Sequence, residues 1–288
     1  MDLLAPFRFD FMLDAFLVAG LLAPATALLS CYLVLKGWSL MGDSISHAVL
    51  PGIVIAYLVG LPLALGAFAA GMLCAVGTGW LEANSRIKRD TVMGVVFSGM
   101  FGLGLVMFAW VPTNVHLDHI LFGNILGIGA ADLWLAAAVG LAIPVLVLVK
   151  GRDLALQAFD PVQARALGLP LGALHYGLLA AMSLTIVAVL KAVGLILAIG
   201  LLIAPGAIAF LLARRLSAML WIAVAVNSAA MLGGVYASFW LNSEPGPTII
   251  LILVLVFLAV VLTRRSGPKA EGEGEAVAAP GHPARGRG

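Results

Sequence analysis

Asp43 and His47 stand four residues apart in "GWSLMGDSISHAVLPG" (37–52), inside a chain that is 62% hydrophobic and only 10% charged. On a helix, that spacing puts two side chains about 40° apart around the axis and about 6 Å apart along it, on one face. A carboxylate oxygen and an imidazole nitrogen so placed can meet one cation, as in other i, i+4 ligand pairs. The mixed oxygen and nitrogen set suits Mn²⁺, Fe²⁺ or Zn²⁺. Ionisable residues in apolar segments are costly and by default face a bundle interior or an aqueous path. A structural reading stays open beside this one. In it, Asp43 is an interfacial helix-starting carboxylate five residues after Trp38, and His47 bonds to a neighbour.

Pro51 follows His47 by four residues, so the His47 carbonyl loses its helical donor and a bend is expected there. Gly42, Ser44, Ser46, Ala48 and Gly52 are small and allow a close helix approach or room for an ion. "VPTNVHLDHI" offers His116, Asp118 and His119 as a weak cation-collecting site at an external entrance, or simply as a polar loop. Pro205 and Gly206, with Gly200, read as the kink of a moving helix or as packing. Arg86 and Asp90 have the spacing of an ion pair at the start of an apolar segment. Cys31 and Cys74 lie in apolar runs and form neither a disulfide framework nor a CxxC signature. The chain has no GxxxxGK[ST] or HExxH motif, and no serine has a convincing base. An ATP site of its own and intramembrane proteolysis therefore lack support.

The elements that must position these residues are apolar. Mean hydropathy is +1.12, and apolar runs can be drawn at about 11–35, 44–59, 62–81, 92–111, 131–149, 174–192, 194–213, 217–240 and 247–263. Runs of about 20 residues cross roughly 30 Å of hydrocarbon as helices, whereas barrel strands alternate. The expected fold is all-α, a polytopic membrane protein of nine crossings, or eight if one segment is re-entrant. Lys36, then Arg86, Lys88 and Arg89, then Lys150 and Arg152, Arg214 and Arg215, and Arg264 and Arg265 mark alternate interruptions. The interruptions between them hold Lys191 as their only Lys or Arg, with Lys191 and Gly194 marking a tight external turn. By the positive-inside rule the first class is cytoplasmic, with the N-terminus external and the C-terminus cytoplasmic. A net charge of +2 and a weakly basic tail support no nucleic-acid partner.

Two stretches are not expected to span. In "GRDLALQAFDPVQARALGLPLGA" (151–173), Asp160 before Pro161 reads as an N-cap with proline at the first helical position. A short helix, Pro161 to Leu167, is expected at the cytoplasmic surface. Residues 266–288 are rich in Gly, Pro, Ala and charge, cannot bury a core and read as a disordered cytoplasmic tail, with His282 incidental. The transmembrane domain is then 1–265.

"LKGWSLMGDSISHAVLPGI" resembles the best-marked stretch of the permease subunits of ABC importers for manganese, zinc or iron, the ABC-3 family. "RIKRDTVMGVVFSGMFGLGLVMF", "ILFGNILGI", "AFDPVQARALGL" and "VGLILAIGLLIAPGAIAFLLARR" are similar to further family blocks in order, over roughly residues 12 to 263. The resemblance implies a bacterial inner-membrane permease that pairs with a second copy of itself and lies in membrane lipid. It implies a cytoplasmic ATPase subunit that uses the ATP and an extracytoplasmic metal-binding protein that delivers the metal, with no permanent cofactor. It implies that Asp43 and His47 act in the metal pathway. It also makes the segment at about 155–170 a coupling helix seated in the ATPase, with Phe159, Asp160, Ala164, Leu167 and Gly168 as its contact and shaping residues. Glu244 in "LNSEPGPT" would face the docking protein.

Overall fold

A computed structural model describes residues 4–111 and 125–265. After a 3-10 turn at Ala5–Arg8 come α1 (Asp10–Leu35), α2 (Ser39–Ala48), α3 (Leu50–Val59), α4 (Leu63–Asn84) and α5 (Arg89–Trp110). A second 3-10 turn, Ile125–Gly127, precedes α6 (Ala130–Phe159), α7 (Pro161–Ala166), α8 (Leu171–Leu212), α9 (Leu216–Leu241) and α10 (Pro245–Arg265). No strand occurs among the described residues. Eight stretches are long and apolar enough to cross a membrane, with α2 and α3 together forming one of them. The chain is a polytopic helical membrane protein. The ninth apolar run, 194–213, appears as Leu197–Leu212, shorter than these spans. It is roughly 24 Å long at 1.5 Å per residue.

α1 is apolar all round and is correspondingly enclosed, packing against α6, α8 and α9. Around it the helices share two ends. One carries Lys36, Arg86, Lys88, Lys150, Arg152, Arg214 and Arg215 and is called the basic end. At the other, Gly60 (φ 75°) closes α3 and Asn242 (φ 49°) closes α9 in the left-handed region.

α8 runs between the ends twice. Its first arm starts where His175 meets Trp38, ring centroids 5.2 Å apart, and reaches Lys191, whose Nζ lies 2.7 Å from Asp132 Oδ1 in the first turn of α6. Gly194 then adopts φ 83°, ψ 173°, a conformation that interrupts the helix and favours glycine. The second arm turns back along the last third of α1. There Ala209 packs with Ala27 and Cys31, and the Gly206 N–H donates to Ser30 Oγ at 2.9 Å. Ser30 also donates to the Ile203 carbonyl at 3.2 Å, so one hydroxyl serves the backbone on both sides of Pro205. A Cβ on Gly206 would lie 2.5 Å from the Ser30 carbonyl oxygen, which makes this proline–glycine pair a close contact with α1.

The ion pair expected between Arg86 and Asp90 is not formed among the described residues. α5 begins at Arg89, so Arg86 sits in the preceding turn and the helical i, i+4 geometry does not exist.

Candidate functional site

Asp43 and His47 both lie on α2, whose last residue is Ala48. α3 starts at Leu50, with Val49 between them and Pro51 at the second position of the new helix. The break is thus short, as expected of a proline that removes one donor without ending the span. Neighbouring helices hold the broken segment through glycines. A Cβ on Gly52 would meet the Gly66 carbonyl oxygen of α4 at 2.1 Å, and one on Gly104 of α5 would meet Leu50 Cβ and Pro51 Cδ at 2.9 Å. Gly71 of α4 approaches Ile45 and Ser183 similarly, whereas Gly42 makes ordinary contact with Leu202 at 3.5 Å. Helix backbones packed this closely are the membrane's substitute for a hydrophobic drive.

From Met41 to Val54 every residue is buried except Asp43 and His47. Their side chains are 28% and 24% exposed. With Leu40, they form one open stripe on an otherwise covered helix. His47 Nδ1 lies 3.1 Å from Asp43 Oδ1 and 3.0 Å from the Asp43 carbonyl oxygen. In the tautomer with hydrogen on Nδ1, this nitrogen donates to Asp43 and leaves the Nε2 lone pair for a cation. A histidine ligand oriented through its other nitrogen is the usual arrangement around transition metals. Phe97 and Phe101 of α5 flank the imidazole, with ring centroids 5.6 and 5.2 Å away, the latter edge-on. They set the ring's position in a way the spacing of Asp43 and His47 did not show. Ser44 and Ser46 donate to the carbonyls of Leu40 and Gly42 at 2.9 and 2.7 Å, so their hydroxyls are used within α2.

Among the described residues no group of three or more His, Cys, Asp or Glu side chains converges. Among the described residues, Asp43 and His47 would thus offer a cation two side chains, fewer than the four or more ligands that transition metals take. His116, Asp118 and His119 lie outside the described residues. Lys191, the only Lys or Arg in its class of interruptions, is balanced by Asp132. The signal available beforehand was that Lys191 broke the charge pattern.

At the basic end, Asp160 accepts from the Gln163 N–H at 2.8 Å through Oδ1 and caps α7, with Pro161 at its first position. Gly168 (φ 74°) ends the unit, and the Leu169 N–H donates to the Ala164 carbonyl at 3.1 Å. Gln157 Nε2 donates to the Leu171 carbonyl at 2.9 Å and ties α6 to the start of α8. Phe159, Val162 and Leu167 are exposed to 66%, 80% and 65%, whereas Ala164 is fully buried and faces the body of the protein. Three large apolar side chains projecting from one polar end make a contact surface. Val162 belongs to it as well, a large apolar residue in the first turn of the capped helix and 80% exposed. Glu244 is exposed just before α10 at the opposite end, and its carbonyl accepts from Thr248 Oγ1 at 2.9 Å.

Comparison with known proteins matches this architecture along nearly its whole length. The chain is 52% identical over 256 residues to a probable iron transport system membrane protein of Haemophilus influenzae, covering 89% of this chain and 94% of that one. It is 40% identical over 281 residues to the manganese transport system membrane protein MntB of Synechocystis, covering 93% and 92%. Its fold superposes on PsaBC from Streptococcus pneumoniae, solved in complex with Fab, with a TM-score of 0.80, 34% identity and coverage of 88% and 91%. Residues 8–264 match the ABC 3 transport family, and the chain belongs to that family.

Proposed function

We propose that this chain is the membrane-spanning permease subunit of an ATP-driven bacterial importer of a divalent transition metal, with Asp43 and His47 as ligands on the path. The observation that carries the reading is the open Asp43–His47 stripe on a segment otherwise buried from Met41 to Val54. An unused carboxylate and imidazole there would be a desolvation cost without a return. Relatives named for iron and for manganese favour Fe²⁺ and Mn²⁺ as the substrate, with Zn²⁺ chemically admissible to the same donors. Asp43 supplies negative charge. His47 supplies the nitrogen that disfavours Ca²⁺ and Mg²⁺, which prefer all-oxygen shells.

Two ligands per copy make a second copy part of the site. A twofold axis beside the stripe brings two carboxylates and two imidazoles to one ion. The basic end faces the cytoplasm, the N-terminus is external and the C-terminus is cytoplasmic. Phe159, Val162 and Leu167 sit in a groove of the ATPase subunit, where Asp160 and Gly168 shape the helix and Ala164 anchors it. An extracytoplasmic binding protein delivers metal to the other end, the end of Glu244 and of the His116, Asp118 and His119 segment. Closure of the ATPases moves α7 and, through it, α6 and α8, as a rigid-body switch of access. The broken α2–α3 segment at Pro51 and Gly52, and α8 at Pro205 and Gly206, are the places where that motion meets the path.

The test is uptake of Mn²⁺, Fe²⁺ and Zn²⁺, offered separately, in cells lacking their own importers and expressing this chain with its ATPase and binding protein. Accumulation that requires an active ATPase and disappears in both Asp43→Asn and His47→Ala, at normal membrane levels, is the expected result. Uptake surviving both substitutions would make the pair structural, and uptake surviving an inactive ATPase would make the chain a carrier.

A further inference from the structure

We propose that a groove between α1, α6 and α9 at the basic end binds an anionic phospholipid, with its acyl chains in the groove and its phosphate at Arg152. The groove encloses about 390 Å³ and is almost wholly apolar, a volume within the usual range of ligand pockets. Pro24 of α1 and Pro144 of α6 both line it, together with Leu148 and Trp221, which are 83% and 76% exposed. Its floor has no spare polar group at Tyr32, whose hydroxyl donates to the Gly151 carbonyl at 3.0 Å.

Charge is confined to one end of the groove, where Arg152 and Ser217 line it. Arg152 is exposed and makes no ion pair among the described residues, although Lys150, two positions earlier, pairs with Asp153 at 3.3 Å. Arg214 and Arg215 precede Ser217 and are also exposed. The helix that begins there, α9, has no side-chain cap, so its first N–H groups add to the same positive field. An apolar slot open to hydrocarbon with a cation at the membrane boundary matches an amphiphile of opposite charge. Basic pockets between helices on the cytoplasmic side select anionic headgroups on this basis. A zwitterionic lipid offers the same phosphate but carries its own ammonium beside it, so it leaves the combined positive charge of Arg152, Arg214 and Arg215 without net compensation.

The test uses the full-length chain, incubated in mild detergent with equal amounts of phosphatidylglycerol and phosphatidylethanolamine. Bound lipid is counted by native mass spectrometry. The expected result is preferential retention of phosphatidylglycerol, reduced about fivefold in Arg152→Gln and largely kept in Arg152→Lys, in line with the contribution of one basic residue to anionic-lipid binding. Excess inorganic phosphate should not displace the lipid, because most of the contact is apolar. Equal retention of both lipids, or no change in Arg152→Gln, would mean that Arg152 merely reaches water and would overturn the proposal. Displacement by phosphate would reduce the site to a free-anion site, and an intersubunit disulfide in Ser217→Cys would place a second copy in the groove. Either outcome also overturns it.

Discussion

Gly52→Ala tests whether the broken segment is held by backbone contact with α4. The added Cβ would lie 2.1 Å from the Gly66 carbonyl oxygen, 2.6 Å from Ala70 Cβ and 2.8 Å from the Gly66 carbonyl carbon. None of these atoms is the end of a flexible side chain. Restoring ordinary contact near 3.4 Å requires α3 and α4 to separate by about 1.3 Å. Overpacking of this kind costs about 1–3 kcal/mol. At roughly 2–4 °C per kcal/mol for a chain of this size, Tm in detergent should fall by about 2–12 °C. Gly77, on the same helix as Gly66, is the internal control because nothing lies within 4 Å of a Cβ built there. Gly77→Ala gains helix propensity of about 0.5–1 kcal/mol and should raise Tm slightly. Gly66→Ala should match Gly52→Ala, and the double substitution should cost less than the sum, since one separation accommodates both methyl groups. Thermal unfolding followed by size exclusion measures all four. A Gly52→Ala protein as stable as Gly77→Ala would refute the close-approach argument and with it the account of how α2 is positioned.

Ser30→Ala removes the partner of the Gly206 N–H and the donor to the Ile203 carbonyl, so it should destabilise by about 1–3 kcal/mol, the cost of an orphaned buried group; the same thermal assay reads it. Asp160→Ala deletes the cap of α7 and should cost that helix about 0.5–2 kcal/mol. With Val162→Asp as a second variant, and if the proposed ATPase docks on this helix, ATP-dependent metal uptake should fall while overall Tm is nearly unchanged. Lys191→Met or Asp132→Asn breaks a pair whose side chains are about a third exposed. The double-mutant coupling should be within about 1 kcal/mol and shrink with added salt; a larger, salt-insensitive coupling would show that the pair is desolvated in the assembly.

Membrane insertion, the approximate number of crossings, the basic end and the capped α7 were legible in the sequence. Each depends on a sum over neighbouring residues: hydropathy over a run, charges at its ends, or Asp160 beside Pro161. Asp43 and His47 were visible too, because i, i+4 spacing is a local property of a helix. Tertiary packing decided the rest. It brought Phe97 and Phe101 to the imidazole, Asp132 to Lys191 and Ser30 to Pro205, and it opened the groove beside Arg152. It also turned Gly52 into a contact with Gly66, and the late start of α5 at Arg89 left the Arg86–Asp90 spacing without an ion pair among the described residues. These outcomes depend on which helix faces lie opposite one another and on where a helix starts. In a chain whose helices are apolar on nearly every face, no hydrophobic stripe announces either beforehand.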